Sequence, residues 1–447
     1  MLYRFLRWLS RLTLNSYFRK FDVYGKELVP LNGPVIFVAN HPSAFMDPML
    51  VATIIKRPIY FLAAAEFFGK GFKAWIYTNL MHMIPVYRPT TLPDQAHKND
   101  EVFSKCIELL NKEGALLVFP EGNSITEQRI RKLKTGVARM AIGSKMANGK
   151  DVLIVPVGLN YANPHRFQSD LFVKIGKAVS TLGYGEDKNE IVRLTDFIEK
   201  SLMDTVYHIA NQELDSVVKK IDLVLRRKFV DAADIEIPKE QEFATHQNII
   251  QSVQNISNHN PDWIKSIEGQ IDSYLKKIRA LGISDGSISE LSMMVSVMDL
   301  LRLTISFPFF LIGYLLNVLP YYATVYYFRS LRLFKVEGQT PPKKTGNEAF
   351  HGSVAMGIGM GMFLIFYISV FGVCVWLTNK IWMGLLLMCI CYLSGLFTMQ
   401  YIRWLAMFGQ KLKLKKLVNQ QREMFAALVL ERKVIIQEIM NVISLNK

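Results

Sequence analysis

The chain of 447 residues carries four cysteines, Cys106, Cys374, Cys389 and Cys391, all in apolar surroundings and without metal-ligand spacing. This favours a reduced, cytosol-facing environment over a disulfide-built scaffold. The sequence has no G-x-S-x-G elbow, which removes the usual serine hydrolase arrangement. It offers no second histidine at ligand spacing from His41, so a metal hydrolase built on His41, Asp47 and Glu121 has little support, and no metal is expected. Nucleic-acid-binding motifs are missing as well. The formal charge of +15, from 53 basic against 38 acidic residues, therefore calls for an anionic membrane surface or a phosphorylated substrate.

Charge is absent from three long stretches, Leu303 to Phe328, Ser353 to Thr378 and Ile381 to Met399. Each is long enough to span a bilayer. Only Asn379 and Lys380 separate the last two, which predicts a transmembrane hairpin over 353–399 with Gly357 and Gly361 available for close contact. Basic residues follow the first stretch (Arg329, Arg332, Lys335, Lys343, Lys344) and the third (Lys411, Lys413, Lys415, Lys416), and both groups are expected on the cytosolic side. Three full crossings would oppose that. The 303–328 segment, which carries Pro308, Asn317 and Pro320, is therefore expected to be re-entrant or interfacial. The basic tail, 403–447, is periodic and amphipathic, and is expected to pack on the domain or on lipid.

Met1 to Lys20 is expected to stay attached rather than be cleaved as a signal, because Arg4, Arg7 and Arg11 interrupt its apolar run and no small-residue cleavage pattern follows. Leu2, Phe5, Leu6, Leu9 and Leu12 share one helical face and the arginines the other, which predicts an interfacial helix over 1–22. The alternative is an ordinary amphipathic helix packed on the domain. Over 23–185, apolar β-rich runs alternate with helical stretches: 34–39, 59–64, 84–87, 115–119, 152–159 and 171–175. This predicts an α/β domain, a mixed sheet flanked by helices. A helical region follows over 186–298, starting at Asp196 with Glu199 as a capping box, and containing Pro238 and a break near Asn255 to Pro261.

The densest chemistry lies in Phe37 to Pro48, FVANHPSAFMDP. His41 leaves a buried strand where Pro42 and Pro48 turn the backbone, with Asp47 close by. Neutral imidazole takes up a proton near pH 7, and a carboxylate fixes its tautomer, so the pair suits proton abstraction from an alcohol. The competing structural reading makes Asp47 an N-cap with Pro48 at the first helical position. Arg88, after a second strand, can grip a phosphate by a charge-assisted fork. Glu121 sits in a Pro-Glu-Gly turn, where it can accept hydrogen bonds from hydroxyl groups or stand as a plain surface residue. Gly122 beside it permits close backbone approach. From Arg129 to Lys150 there are seven basic residues and no acidic one, Lys134 being the best candidate among them for binding phosphate.

Four segments, NHPSAFMD, IPVYRP, FPEGNS and VPVGLNY, fall in order at strand ends, where open α/β sheets place ligands. In that order and spacing they resemble the glycerolipid acyltransferase family, over roughly residues 23–176. The resemblance makes His41 and Asp47 the catalytic pair and assigns substrate binding to Arg88, Glu121, Gly122, Ser124, Lys134 and Pro156; by residue type, Ser43 and Ser124 also suit a turn-shaping role. Five residues rather than four separate His41 from Asp47, and this form, with Pro48 and the NPHRF at 163–167, looks like the fungal glycerol-3-phosphate acyltransferase branch. Asn123 and Ser124 stand where many bacterial members have Thr and Arg, so Arg129, Arg131 or Lys134 is left to supply that charge. The implied reaction is direct acyl transfer from acyl-CoA or acyl carrier protein to glycerol-3-phosphate or lysophosphatidic acid. No cofactor is implied, anionic lipids are the expected surroundings, and the catalytic domain is expected to face the cytoplasm. Other lysolipid acceptors, or a non-catalytic lipid-binding scaffold, are the alternatives.

Overall fold

The computed structural model describes residues 2–231, 239–289, 295–330 and 346–445. It divides into two compact units, one built from residues up to His208 together with the start of a later helix up to Ile358, the other from the remainder. The first unit begins with helix α1 (Leu2–Tyr17), strand β1 (Lys20–Tyr24), β2 (Val35–Ala39), α2 (Met46–Ile54), β3 (Tyr60–Ala64), α3 (Phe72–Trp75) and β4 (Met83–Val86). It continues with α4 (Asn99–Asn111), β5 (Ala115–Val118), α5 (Gly136–Asn148), β6 (Leu153–Tyr161), β7 (Asp170–Ile175) and α6 (Lys188–Met203).

The seven strands form one sheet in the order β1-β7-β6-β2-β5-β3-β4, parallel throughout except where β6 meets β7. β2 lies at the centre and is buried along its whole length, as its unbroken VIFVA requires of a strand covered on both faces. Side chains alternate across it. Phe37 and Ala39 join a core with Leu14, Met46 and Leu50 from α1 and α2, while Ile36 and Val38 join one with Cys106, Ala141 and Ile198 from α4, α5 and α6. Each fully buried large apolar side chain contributes about 1.5–3 kcal/mol, so the strand that carries His41 is rigidly held. Burial also pushes the Cys106 thiol up to about 12, which leaves it protonated and inert.

Six of the strands fall on the apolar runs; the seventh, β1 (KFDVY), is a short, charged edge strand that hydrophobicity alone does not mark. α1 packs its last turn, Leu14 and Tyr17, into the core and leaves Phe5 and Trp8 exposed near its start. α6 starts at Lys188, capped by the Asp187 carboxylate, which accepts from the backbone N–H groups of Asn189 and Glu190. Asp196 therefore lies inside a helix that packs on the α/β core, eight residues beyond the start of that helix.

The second unit contains α7 (Asp215–Asp231), α8 (Lys239–His259), α9 (Pro261–Ala280), α10 (Asp285–Ser289), α11 (Val297–Ser330), most of α12 (Gly346–Thr378), α13 (Ile381–Gln420) and α14 (Arg422–Leu445). The break expected near Asn255 to Pro261 is a junction with Asn260 as N-cap, its side chain accepting from Trp263 N–H, and Pro261 at the first helical position. α14 packs back on α7, α8 and α9: Lys277 pairs with Glu431, Trp263 donates to Glu438, and Arg432 makes a buried pair with Asp285. α11, α12 and α13 are each long and apolar enough to cross a membrane, which fits a membrane protein. The 303–328 stretch lies inside one continuous helix, where the buried Asn317 amide donates to Gly313 O and Cys391 O and accepts from Tyr367 OH. Pro238, Arg332, Lys335, Lys343 and Lys344 lie outside the described residues.

Candidate active site

Three strand exits converge at the carboxyl edge of the sheet. β2 delivers His41, β5 beside it delivers Phe119 and Glu121, and β6 on its other flank ends at Tyr161. The side chain of Asn40 extends the ladder by one rung, donating to Leu159 O at 3.0 Å and accepting from Leu159 N at 2.7 Å. The residue after it is thereby fixed before the chain turns. His41 lies flat on the Phe119 ring, with centroids 4.0 Å apart.

Nδ1 of His41 lies 2.8 Å from Oδ2 of Asp47. That oxygen also accepts from Ser43 N–H at 2.8 Å, and Oδ1 accepts from Tyr161 O–H at 2.7 Å. Asp47 is 0% exposed and sits in the first turn of α2 without capping it, since Phe45 is the N-cap and no side chain caps the helix. A carboxylate that meets three donors takes the Nδ1 proton of His41 as an acceptor, which leaves the lone pair on Nε2. Among the described residues nothing bonds Nε2.

The tight turn between the two residues stores strain at Ala44, whose φ is 39°. Ser124 holds it: its Oγ donates to His41 O at 2.9 Å and accepts from Ala44 N–H at 2.8 Å. Thr126 donates to Pro42 O at 2.8 Å. Both hydroxyls thus shape the turn, as the residue type of Ser124 allowed.

Glu121 is buried against this turn. Its Oε1 accepts from His41 N–H at 3.2 Å and its Oε2 from Arg131 Nε at 2.9 Å. Burial raises the Glu121 pKa, and the Arg131 guanidinium opposes that rise. Of the three basic candidates for the missing charge, Arg131 is the one that engages Glu121; Arg129 leans on Glu127 at 3.6 Å. Lys134 is exposed, and its Nζ lies where a Cβ on Gly122 would fall; the φ of Gly122, +79°, requires glycine there in any case. Behind the basic stretch, Ile130 N–H donates to His208 Nδ1 at 3.0 Å and Leu133 N–H to Glu199 Oε2 at 2.9 Å.

Arg88 follows β4, three strands from β2, or about 14 Å at the usual strand spacing. It is half-buried, and its guanidinium has no partner among the described residues. Pro156 lies within β6, level with Val38, with its carbonyl accepting from Gly176 N–H just past the end of the β6 and β7 ladder. Its missing N–H costs nothing there. The structure thus brings together His41, Asp47, Glu121, Gly122, Ser124 and Lys134, sets Arg88 to one side, and keeps Pro156 in the sheet. Tyr161, Arg131, Asn40 and Phe119 complete the group. The first turns of α12 join it as well, with Phe350 against Phe45 and Phe67, and Gly352 N–H donating to His165 Nδ1 at 3.2 Å.

Comparison with known proteins agrees with this geometry. Residues 20–160 match the family model described as Acyltransferase. Glycerol-3-phosphate O-acyltransferase 1 of Saccharomyces cerevisiae is 30% identical over 146 residues, 31% of this chain and 19% of that protein. Glycerol-3-phosphate O-acyltransferase 2 of the same yeast is 34% identical over 90 residues, 20% of this chain and 12% of that protein. An uncharacterized acyltransferase of Schizosaccharomyces pombe is 24% identical over 206 residues, 44% and 29% of the two chains. The matched stretches therefore span less than a third of these curated relatives. Among solved structures, the 1-acyl-sn-glycerophosphate acyltransferase PlsC of Thermotoga maritima gives a TM-score of 0.33 at 20% identity, covering 44% of this chain and 77% of that one.

The α/β unit is thus similar to acyltransferase domains over residues 20–160. More narrowly, its matched stretches are similar to yeast glycerol-3-phosphate O-acyltransferases, and the sheet has the fold class expected from the sequence.

Proposed function

We propose that the protein is a membrane-bound O-acyltransferase of phospholipid biosynthesis, passing a fatty acyl group from an acyl thioester to glycerol-3-phosphate or its monoacylated product. The observation that carries this reading is the pairing of His41 Nδ1 with the buried Asp47 carboxylate, with Nε2 unengaged. Nε2 removes the proton of a glycerol hydroxyl as its oxygen attacks the thioester carbonyl carbon. The tetrahedral intermediate then expels the thiolate, which takes the proton back from the imidazolium, giving an ester and a free thiol. A thioester is already activated, so no acyl-enzyme is needed.

Arg88, with its unpartnered guanidinium, and the exposed Lys134 are the cations left for the acceptor phosphate or the phosphates of coenzyme A. Glu121, engaged by Arg131 and the His41 backbone, holds the turn. The yeast relatives, named for glycerol-3-phosphate, favour that acceptor. The catalytic domain faces the cytoplasm in this reading, with anionic lipids around it.

Thiol release from acyl-CoA by the detergent-purified protein, with each acceptor in turn and products identified by mass, tests the assignment. His41→Ala should remove turnover, by about 10²- to 10⁴-fold for a lost general base, while the protein remains folded. Full activity in that variant would overturn the mechanism. No turnover with either acceptor, or with acyl carrier protein as donor, would favour the scaffold.

A further inference from the structure

We propose that Tyr161 is a positioning residue of the acyl transfer, the third member of a Tyr161, Asp47, His41 relay in which its hydroxyl sets how strongly the carboxylate holds the imidazolium. The proposal rests on the acyltransferase reading of the site. Its geometry is independent of that reading: Tyr161 O–H donates to Asp47 Oδ1 at 2.7 Å, on the carboxylate oxygen that His41 does not use. Asp47 is 0% exposed and Tyr161 6%, so no bulk water competes for that oxygen. The phenol stays protonated and donates to the carboxylate, because burial and the neighbouring carboxylate both raise the Tyr161 pKa well above the ordinary value.

The ring is held as firmly as its hydroxyl. Tyr161 closes β6, opposite Leu171 of β7, and packs against Phe18, just past the end of α1, with centroids 5.8 Å apart. Among the described residues, the ionisable and charged groups that face the relay are few. They are Glu121, through the His41 backbone N–H; Arg131, through Glu121; and Tyr17, from the last turn of α1. None of these touches Oδ1, so the phenol is the group placed to draw negative charge from it.

A hydrogen bond on Oδ1 spreads the carboxylate charge away from Oδ2, where His41 is bound. Removing it concentrates charge at Oδ2 and strengthens its hold on the imidazolium. More acid enzyme is then held in the protonated, inactive form. The acid limb of kcat/KM should accordingly move to higher pH in Tyr161→Phe, by roughly half to one unit for one lost charge-assisted bond of about 1 kcal/mol. KM for the acceptor should stay within about twofold, because the phenol is buried away from solvent.

The test is a pH profile of kcat/KM for thiol release with the full-length wild type, Tyr161→Phe and a variant with 3-fluorotyrosine at position 161, a stronger donor. The Phe variant is expected to move the acid limb up, and the fluorotyrosine variant to move it down. Shifts of opposite sign establish the relay, since a packing role has no reason to follow donor strength. Coincident acid limbs in all three, or shifts in the same direction for both variants, would overturn it. Should Tyr161→Phe fail to fold, the fluorotyrosine profile against wild type decides alone: a downward shift supports the relay and no shift refutes it. Absence of turnover in the wild type would instead strike at the acyltransferase reading, and is thereby told apart.

Discussion

Replacing Asp47 by asparagine isolates the charge of the buried carboxylate from its shape. Oδ2 accepts two bonds, from His41 Nδ1 and Ser43 N–H, and Oδ1 accepts one, from Tyr161 O–H. An asparagine that points its oxygen to the Oδ2 side keeps the first two, and its amide can donate to Tyr161, whose oxygen is able to accept. The tautomer of His41 is then preserved and only the negative charge is lost. At about 4 Å between charge centres and an effective dielectric of about 20, that charge is worth roughly 4 kcal/mol to the imidazolium. The loss corresponds to roughly 10³-fold in kcat. Thiol release with saturating acyl-CoA and glycerol-3-phosphate measures it, and circular dichroism checks the fold. An Asp47→Asn enzyme within tenfold of wild type would refute electrostatic support from Asp47 and leave it a turn-forming residue. Alanine is the poorer probe, because it strands the Ser43 N–H and the Tyr161 hydroxyl in a site with 0% exposure.

Two further outcomes are expected. Arg88→Ala should raise KM for a phosphorylated acceptor by about tenfold or more, and leave the slow hydrolysis of acyl-CoA in the absence of acceptor near wild type; equal loss of both would assign Arg88 to the donor or to the fold. His208 accepts from Ile130 N–H through Nδ1, and burial first, then Arg129, lower its pKa. Its folded value is depressed, so the stability it lends is present above the ordinary histidine value near 6.5 and is lost as pH falls through the lower folded value. The fall in Tm between pH 7 and pH 5 should thus be smaller in His208→Asn, whose amide oxygen can replace Nδ1, and identical falls would contradict the assignment.

The sheet is legible because β2 and β5 are unbroken apolar runs and β6 is apolar apart from Pro156, Gly158 and Asn160, and because parallel strands buried on both faces need no alternation. β1 is not, since Lys20 and Asp22 dilute its pattern and only pairing with β7 makes it a strand. The start of α6 was misplaced because Asp187 with Glu190 and Asp196 with Glu199 carry the same capping spacing, and tertiary packing selects the first. At the site, His41 and Asp47 could be paired from a six-residue separation and a turn. Tyr161 stands 114 residues from Asp47, and its place depends on the β2 and β6 register, which no local signal encodes. For the same reason the choice of Arg131 over Arg129 and Lys134 had to await the loop's path past Glu121.

One consequence reaches beyond the site. α14, last in the chain, is a wall of the same bundle as α7, α8 and α9, which precede every apolar helix, and Lys411 near the end of α13 pairs with Asp299 at the start of α11 at 2.7 Å. In a bilayer this packing predicts that the two ends of the apolar region emerge on the same face, and labelling of single cysteines placed beside Asp299 and Lys411 from only one side of sealed vesicles checks it. The Arg432 and Asp285 pair bridges 147 residues of sequence, so the bundle cannot close until the whole apolar region between them has been synthesised.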